Sequence, residues 1–186
     1  MGTQVARRAF TVDEYHRMIA ADILSKDDHV ELIDGEIVQM SPIGSRHASC
    51  VDRLNALFAR KVGRRAIVRV QGPIILGRRS EPQPDVVVLR PRADFYAGGN
   101  PGPRDVLLVI EVTDTSGAYD REIKLPLYAR AGIPEAWIVD VRREAVEVYR
   151  GPALRAYRTR LDLTRGRRLS PIAFPRLAVK VGDILG

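Results

Sequence analysis

Two short runs of branched apolar residues limit what this chain can fold into: DVVVLR at 85–90 and VLLVIEVT at 106–113. A strand with one wet face alternates apolar and polar residues, and these runs scarcely alternate. They read as central strands covered on both sides. Each nevertheless carries one carboxylate. Strand alternation places Asp85, Val87 and Leu89 on one face of the first run, and Val109, Glu111 and Thr113 on one face of the second. A buried carboxylate is costly unless a cation or metal pairs with it. Asp85 opens its strand and Glu111 lies near the end of the other. Antiparallel pairing therefore brings those ends together and sets the carboxylates side by side.

The segments around these strands supply helices and further strands. Thr11 with Glu14 forms a capping box ahead of an amphipathic helix over 11–24. The stretch VELIDGEIVQM, at 30–40, reads as a hairpin turning at Asp34-Gly35. Val51, Leu54, Leu57, Phe58 and Val62 recur at helix spacing within 46–62. Residues 66–76 read as two strands broken at Gly72-Pro73. The Pro- and Gly-rich connection 91–105 is long for a small domain. A helix is expected over 118–131, with Pro126 as a kink or break inside it and Gly132 beyond its end. Strands follow at 135–141 and 144–150. The stretch 151–186 is less regular, with one strand expected near 176–180. This order predicts an α/β (α+β) fold, a mixed central β-sheet flanked by helices. With 186 residues and no evident linker, residues 1–186 are expected to form a single domain.

Two adjacent carboxylates repel each other and call for a cation, and hard oxygen ligands suit Mg²⁺ or Mn²⁺. Lys124 is the candidate lysine, because Asp120, Lys124 and Tyr128 fall on one helical stripe. The competing reading is a surface Asp120–Lys124 pair worth only tenths of a kcal/mol. The net charge of +7 and sequence pI of about 10.0 favour a polyanionic partner such as nucleic acid. Nine arginines between Arg142 and Arg168 could track a phosphate backbone or simply form a solvated face. His16, His29 and His47 make no zinc spacing, and there is no phosphate loop or G-x-S-x-G. The single cysteine, Cys50, excludes an intrachain disulfide and suits a reducing cytoplasm; a buried apolar role is expected for it. No run approaches membrane-spanning length, and Met1-Gly2 is followed by Ala6 where a myristoylation signal needs Ser or Thr. A cytoplasmic protein with no membrane association is expected.

Taken together, Pro84-Asp85, Glu111-Val112-Thr113 and Lys124 resemble the PD-(D/E)XK nuclease signature. More closely, EVTDTSGAYDREIKLPLYARAGIPEAWIVDV resembles the Uma-two family of restriction-endonuclease-like proteins. ELIDGEIVQMSP, the helix bearing His47, and PQPDVVVL match that family in order, and the resemblance covers roughly residues 10–150. It implies a restriction-endonuclease-like core and Mg²⁺-dependent phosphodiester cleavage. By the same resemblance Asp85 and Glu111 match the metal-binding carboxylates. Thr113 stands where the wider superfamily carries its lysine, and Lys124 matches a lysine displaced to the following helix. Glu31 matches an acidic residue of the first hairpin, able to bind a second metal or orient water. His47 matches a histidine at a helix start, where phosphate contact is the functional option. Gln83 is a candidate for positioning substrate, and Tyr128 for hydrogen bonding near the metal. Trp137 is expected in the core or at a dimer interface, and Asp140 at the turn to Arg142-Arg143. The expected function is a Mg²⁺-dependent DNA endonuclease, with Mn²⁺ as substitute, acting as a homodimer. The alternative is a nuclease fold that binds nucleic acid without cutting it.

Overall fold

In the computed structural model the described residues are 8–114 and 116–186. The Met1-Gly2 pair lies outside them. Thr11 caps helix α1 (Val12–Ala20): its hydroxyl accepts from the Glu14 amide, while the Glu14 carboxylate accepts from the Thr11 amide. Strands β1 (Val30–Ile33) and β2 (Glu36–Gln39) form the expected hairpin. Asp34 and Gly35 take φ of 49° and 87°, as a tight two-residue turn requires. Gly35 also lies so close to the backbone of Ala9 that a Cβ there would clash. Helix α2 spans Ser45–Val62.

The main sheet has six strands in the order β3 (Ile67–Val70), β4 (Val86–Leu89), β5 (Val106–Thr113), β6 (Glu135–Asp140), β7 (Ala145–Pro152) and β8 (Tyr157–Thr164). Strands β5 and β6 run parallel and every other neighbouring pair is antiparallel, so the sheet is mixed. The parallel pair requires a crossover, which the helical segment between them supplies. All four residues of β4 are buried, and seven of the eight in β5. One face packs Val86, Val88, Ile110 and Trp137 with Leu54 and Phe58 of α2. The other packs Val87, Leu89, Val109 and Ile138 with Leu125 and Tyr128. The apolar runs are thus covered on both sides, as their composition demands.

Four local expectations change. Residues 66–76 give one strand: only β3 joins the sheet, and after Gln71 the chain turns to bond Ile74 and Leu76 to Pro82 and Ser80. The helical stretch expected over 118–131 is divided into three pieces, and its irregular turn lies directly before Pro126. A short α3 (Gly117–Tyr119) leads into a π-helical turn (Asp120–Lys124), and Pro126 sits in the first turn of α4 (Leu125–Arg130), where its missing N–H costs little. Strand β8 arises in the arginine-rich stretch read as irregular. Its side chains are mostly exposed, so no apolar alternation marks it, and backbone pairing with β7 holds it. Finally, the strand expected near 176–180 is present as β10 (Val179–Lys180), but it pairs with a second short strand, β9 (Arg168–Leu169), and leads into α5 (Val181–Leu185), packed on α2. Trp137 is fully buried, its ring 5.7 Å from that of Phe58, so it belongs to the core. Cys50 is buried as well. Among the described residues no helix is long and apolar enough to cross a membrane.

Candidate active site

The register of β4 and β5 does what the sequence pattern requires. Val86 lies opposite Ile110, which brings Asp85 beside Glu111: the Asp85 amide donates to Glu111 Oε2 at 3.3 Å. The Val112 amide donates to Asp85 Oδ2 at 2.8 Å, locking that carboxylate across the strand ends. Its other oxygen lies 2.9 Å from His47 Nε2, in the first turn of α2. That hydrogen bond holds the His47 pKa above its ordinary value, outweighing burial.

Lys124 reaches the same place from the π turn. Its Nζ lies 3.3 Å from Glu111 Oε1 and 3.2 Å from Glu31 Oε2. Glu31, on β1, also accepts from the Gln83 amide at 3.0 Å, and the Gln83 side chain donates to the Val30 carbonyl at 3.2 Å. Gln83 therefore ties the hairpin to the loop before Asp85. The Tyr128 hydroxyl donates to Glu111 Oε1 in a short hydrogen bond, and the ring is fully buried behind that carboxylate. The structure thus gathers Asp85, Glu111, Lys124, Glu31 and His47, with Gln83 and Tyr128 as buttresses. The Thr113 hydroxyl, at the position that matches the superfamily's usual lysine, lies 3.4 Å from the Ser116 hydroxyl.

One member was missed. Asp120 is buried at the start of the π turn, held by Ser116 Oγ at 2.9 Å and within electrostatic reach of Lys124, Asp85 and Glu31. The stripe shared by residues 120, 124 and 128 was the signal, and pairing Asp120 with Lys124 as a surface couple hid it. Asp120 and Lys124 open and close the π turn, and both side chains are buried.

Negative charge exceeds positive here, and the titration behaviour says so. Burial, then Asp120 and Asp85, push the Glu111 carboxyl up to about 8 against the pull of Lys124 and Tyr128. Burial and neighbouring carboxylates likewise raise Asp120. Burial opposes the charge on Lys124, but Glu111, Glu31, Asp120 and Asp85 outweigh it, and the ammonium is held above its ordinary value. Lys124 is therefore a fixed positive charge near neutral pH rather than a base.

The donor set suits a hard cation. Asp85 and Glu111 offer adjacent carboxylates with surplus negative charge, and Mg²⁺ commonly takes one or two carboxylates while keeping several waters. Among the described residues no three His, Cys, Asp or Glu side chains are placed to hold a metal ion. Glu31 faces Lys124 and Gln83, so the fit rests on the Asp85–Glu111 pair.

The sequence matches the model of the Uma-two family, described as "Putative restriction endonuclease", over residues 12–182. The chain belongs to this family. The Uma-two match takes in both central strands, the hairpin and the π turn, and so every site residue named above. A solved structure from Anabaena variabilis ATCC 29413, described as a putative nuclease belonging to DUF820, superposes with a TM-score of 0.72 at 18% identity. The alignment covers 95% of this chain and 97% of that one. The likeness establishes a shared α+β fold, a mixed sheet flanked by helices. Among curated proteins none matches the sequence.

Proposed function

We propose that the chain, as one nuclease domain over its length, hydrolyses DNA phosphodiester bonds with Mg²⁺ held by Asp85 and Glu111. The observation that carries this reading is the convergence of those carboxylates at paired strand ends, with the Lys124 ammonium 3.3 Å from Glu111. Bound there, Mg²⁺ supplies positive charge against a phosphate oxygen and lowers the pKa of a water. The protein's own groups do the rest. Asp85 is held rigid by the Val112 amide and His47, and Glu111 by the Asp85 amide and Tyr128. Lys124, kept protonated, stabilises negative charge developing on the attacked phosphate. Glu31 keeps Lys124 turned inward and is the candidate for orienting water or assisting a second metal. Family membership and the fold shared with the Anabaena protein support this reading.

Nucleic acid as substrate is also supported by charge. A cavity of about 320 Å³ at the start of α2 is lined by Ser45, Arg46, Ser49, Arg53 and Arg165, the last paired with the Glu144 carboxylate, which also lines it. Guanidinium groups and a helix start suit a phosphate backbone. Mn²⁺ is expected to replace Mg²⁺, and the protein to work as a homodimer in the cytoplasm.

The second reading is a nuclease fold that binds nucleic acid and cuts nothing. It is favoured by Lys124, whose single ammonium already pairs with both Glu31 and Glu111. Plasmid DNA incubated with Mg²⁺ or Mn²⁺, with and without chelator, separates the two. Metal-dependent nicking that vanishes in Asp85→Ala is expected. Cleavage that survives in Asp85→Ala refutes the proposed site, and salt-sensitive binding without product establishes the second reading.

A further inference from the structure

Among the described residues strand β8 pairs only with β7 and forms one edge of the six-stranded sheet. It is eight residues long, without proline or glycine, and residues 158–162 are exposed on both faces. Leu161, at its middle, is 49% exposed. Such an edge is a template for another strand, and natural proteins usually blunt it with bulges, proline, charged side chains or a covering element. Here the charges are of both signs. Arg160 and Asp162 stand two apart on the same strand face, 2.9 Å from each other. The Arg160 guanidinium is further fixed over the Tyr149 ring and against Glu147.

We propose that β8 is a self-association surface, pairing antiparallel with β8 of a second copy about a twofold axis through Leu161. The sequence selects that register. An axis through Arg160 or Asp162 sets identical charges opposite each other, and one through Thr159 sets Arg158 opposite Arg160. The axis through Leu161 opposes no like charges. It places Arg160 of each copy opposite Asp162 of the other, Leu161 opposite Leu161, and Thr159 opposite Leu163. Opposite-charge and apolar cross-strand pairs stabilise a ladder, whereas like charges destabilise it. The interface is isologous and closes at two copies, joining the two sheets into one. It lies three strands from β5, leaving Asp85 and Glu111 outside the contact. The assignment rests on the homodimer expectation and gives it a surface.

Sedimentation velocity on the full chain, with cysteine crosslinking, tests it. Directly opposed residues in an antiparallel ladder sit about 4.5–5.5 Å apart at Cα, within disulfide reach, and offset residues do not. The sole native cysteine, Cys50, is fully buried and leaves a silent background. Wild type is expected to be dimeric. Leu161→Cys should crosslink to itself under mild oxidation, and Thr159→Cys alone should not. A mixture of Thr159→Cys and Leu163→Cys chains should give the mixed disulfide. Asp162→Arg, with unchanged thermal melting, should weaken the dimer about tenfold by opposing Arg160 with a second arginine. A monomer at high protein concentration overturns both the surface and the homodimer expectation. A dimer without the Leu161→Cys crosslink, or indifferent to Asp162→Arg, overturns the surface alone.

Discussion

Two buried charge clusters share one sheet, and they are built oppositely. At the β4–β5 end, Glu31, Asp85, Glu111 and Asp120 gather around one ammonium, Lys124, and burial, reinforced by Asp120 and Asp85, raises Glu111 to about 8. On β7, one carboxylate, Glu147, is ringed by three guanidiniums. Arg121 lies at 2.7 Å, Arg143 at 3.1 Å and Arg160 at 3.5 Å, and the Tyr149 hydroxyl donates at 2.6 Å. Burial alone would raise Glu147, but Arg121 and its companions hold it below the usual carboxylate range. The Glu147 cluster is satisfied from within the chain. The Glu111 cluster is short of positive charge, and that difference is what the proposed Mg²⁺ site rests on.

The comparison can be broken first at its chemical end. Asp85→Ala is expected to lower Mg²⁺-dependent plasmid cleavage about a thousandfold or more while leaving the circular dichroism spectrum intact. Glu147→Ala should do the reverse, destabilising the protein by about 3 kcal/mol in urea melts, because it leaves three arginines without their shared partner, and sparing the metal site. Glu147→Ala losing no stability would erase the contrast.

Magnesium sharpens the difference next. At roughly ten times its dissociation constant Mg²⁺ should stabilise wild type by about 1.4 kcal/mol, raising Tm, and should leave Asp85→Ala unmoved. The two clusters should also respond oppositely to pH in chelator. Glu111 has a folded pKa above its unfolded value, so the folded state holds its proton more tightly. Stability from this group is complete below about 4.5 and is lost as pH rises through about 8. Glu147 is depressed, so its contribution is present above about 4.5 and is lost as pH falls through its folded value. Thermal melts from pH 4 to 9 check both, and Glu111→Gln should flatten the alkaline limb only. The smallest effect is the control. Arg130 and Asp34 form an exposed pair, 47% and 60% accessible, and Arg130→Ala should change stability by no more than about 0.5 kcal/mol.

Much of the Glu111 cluster was legible because strand alternation is strict. Once 85–90 and 106–113 are central strands, their carboxylates can meet in few ways. Lys124 was placed by resemblance, since helix periodicity alone could not separate a site lysine from a surface pair. Helix periodicity put Asp120 on the stripe of Lys124 and Tyr128, but it could not tell a buried stripe from an exposed one, and so Asp120 passed for the partner in a surface pair. The Glu147 cluster was not legible at all. Its members come from the π turn, β7, β8 and the β6–β7 turn, and nothing local announces their meeting. Strand β8 was missed for a related reason: it owes its form to a neighbour's backbone, while its own side chains spell a loop.

The π turn at Asp120–Lys124 also has a consequence for how this chain tolerates change in length. A π turn is, in effect, one residue inserted into an α-helix, and deleting one residue from 121–123 would heal the helix. The healed helix would make better backbone hydrogen bonds. The flanking turns would keep nearly the same phase, because the π turn absorbs its extra residue, but Asp120 and Lys124 would stand three positions apart instead of four and no longer hold their present spacing in the site. The connection 91–105 can gain or lose residues at little cost to the chemistry. Here a single deletion would leave a sound helix and a silent site, so this stretch should keep its length even where its letters drift.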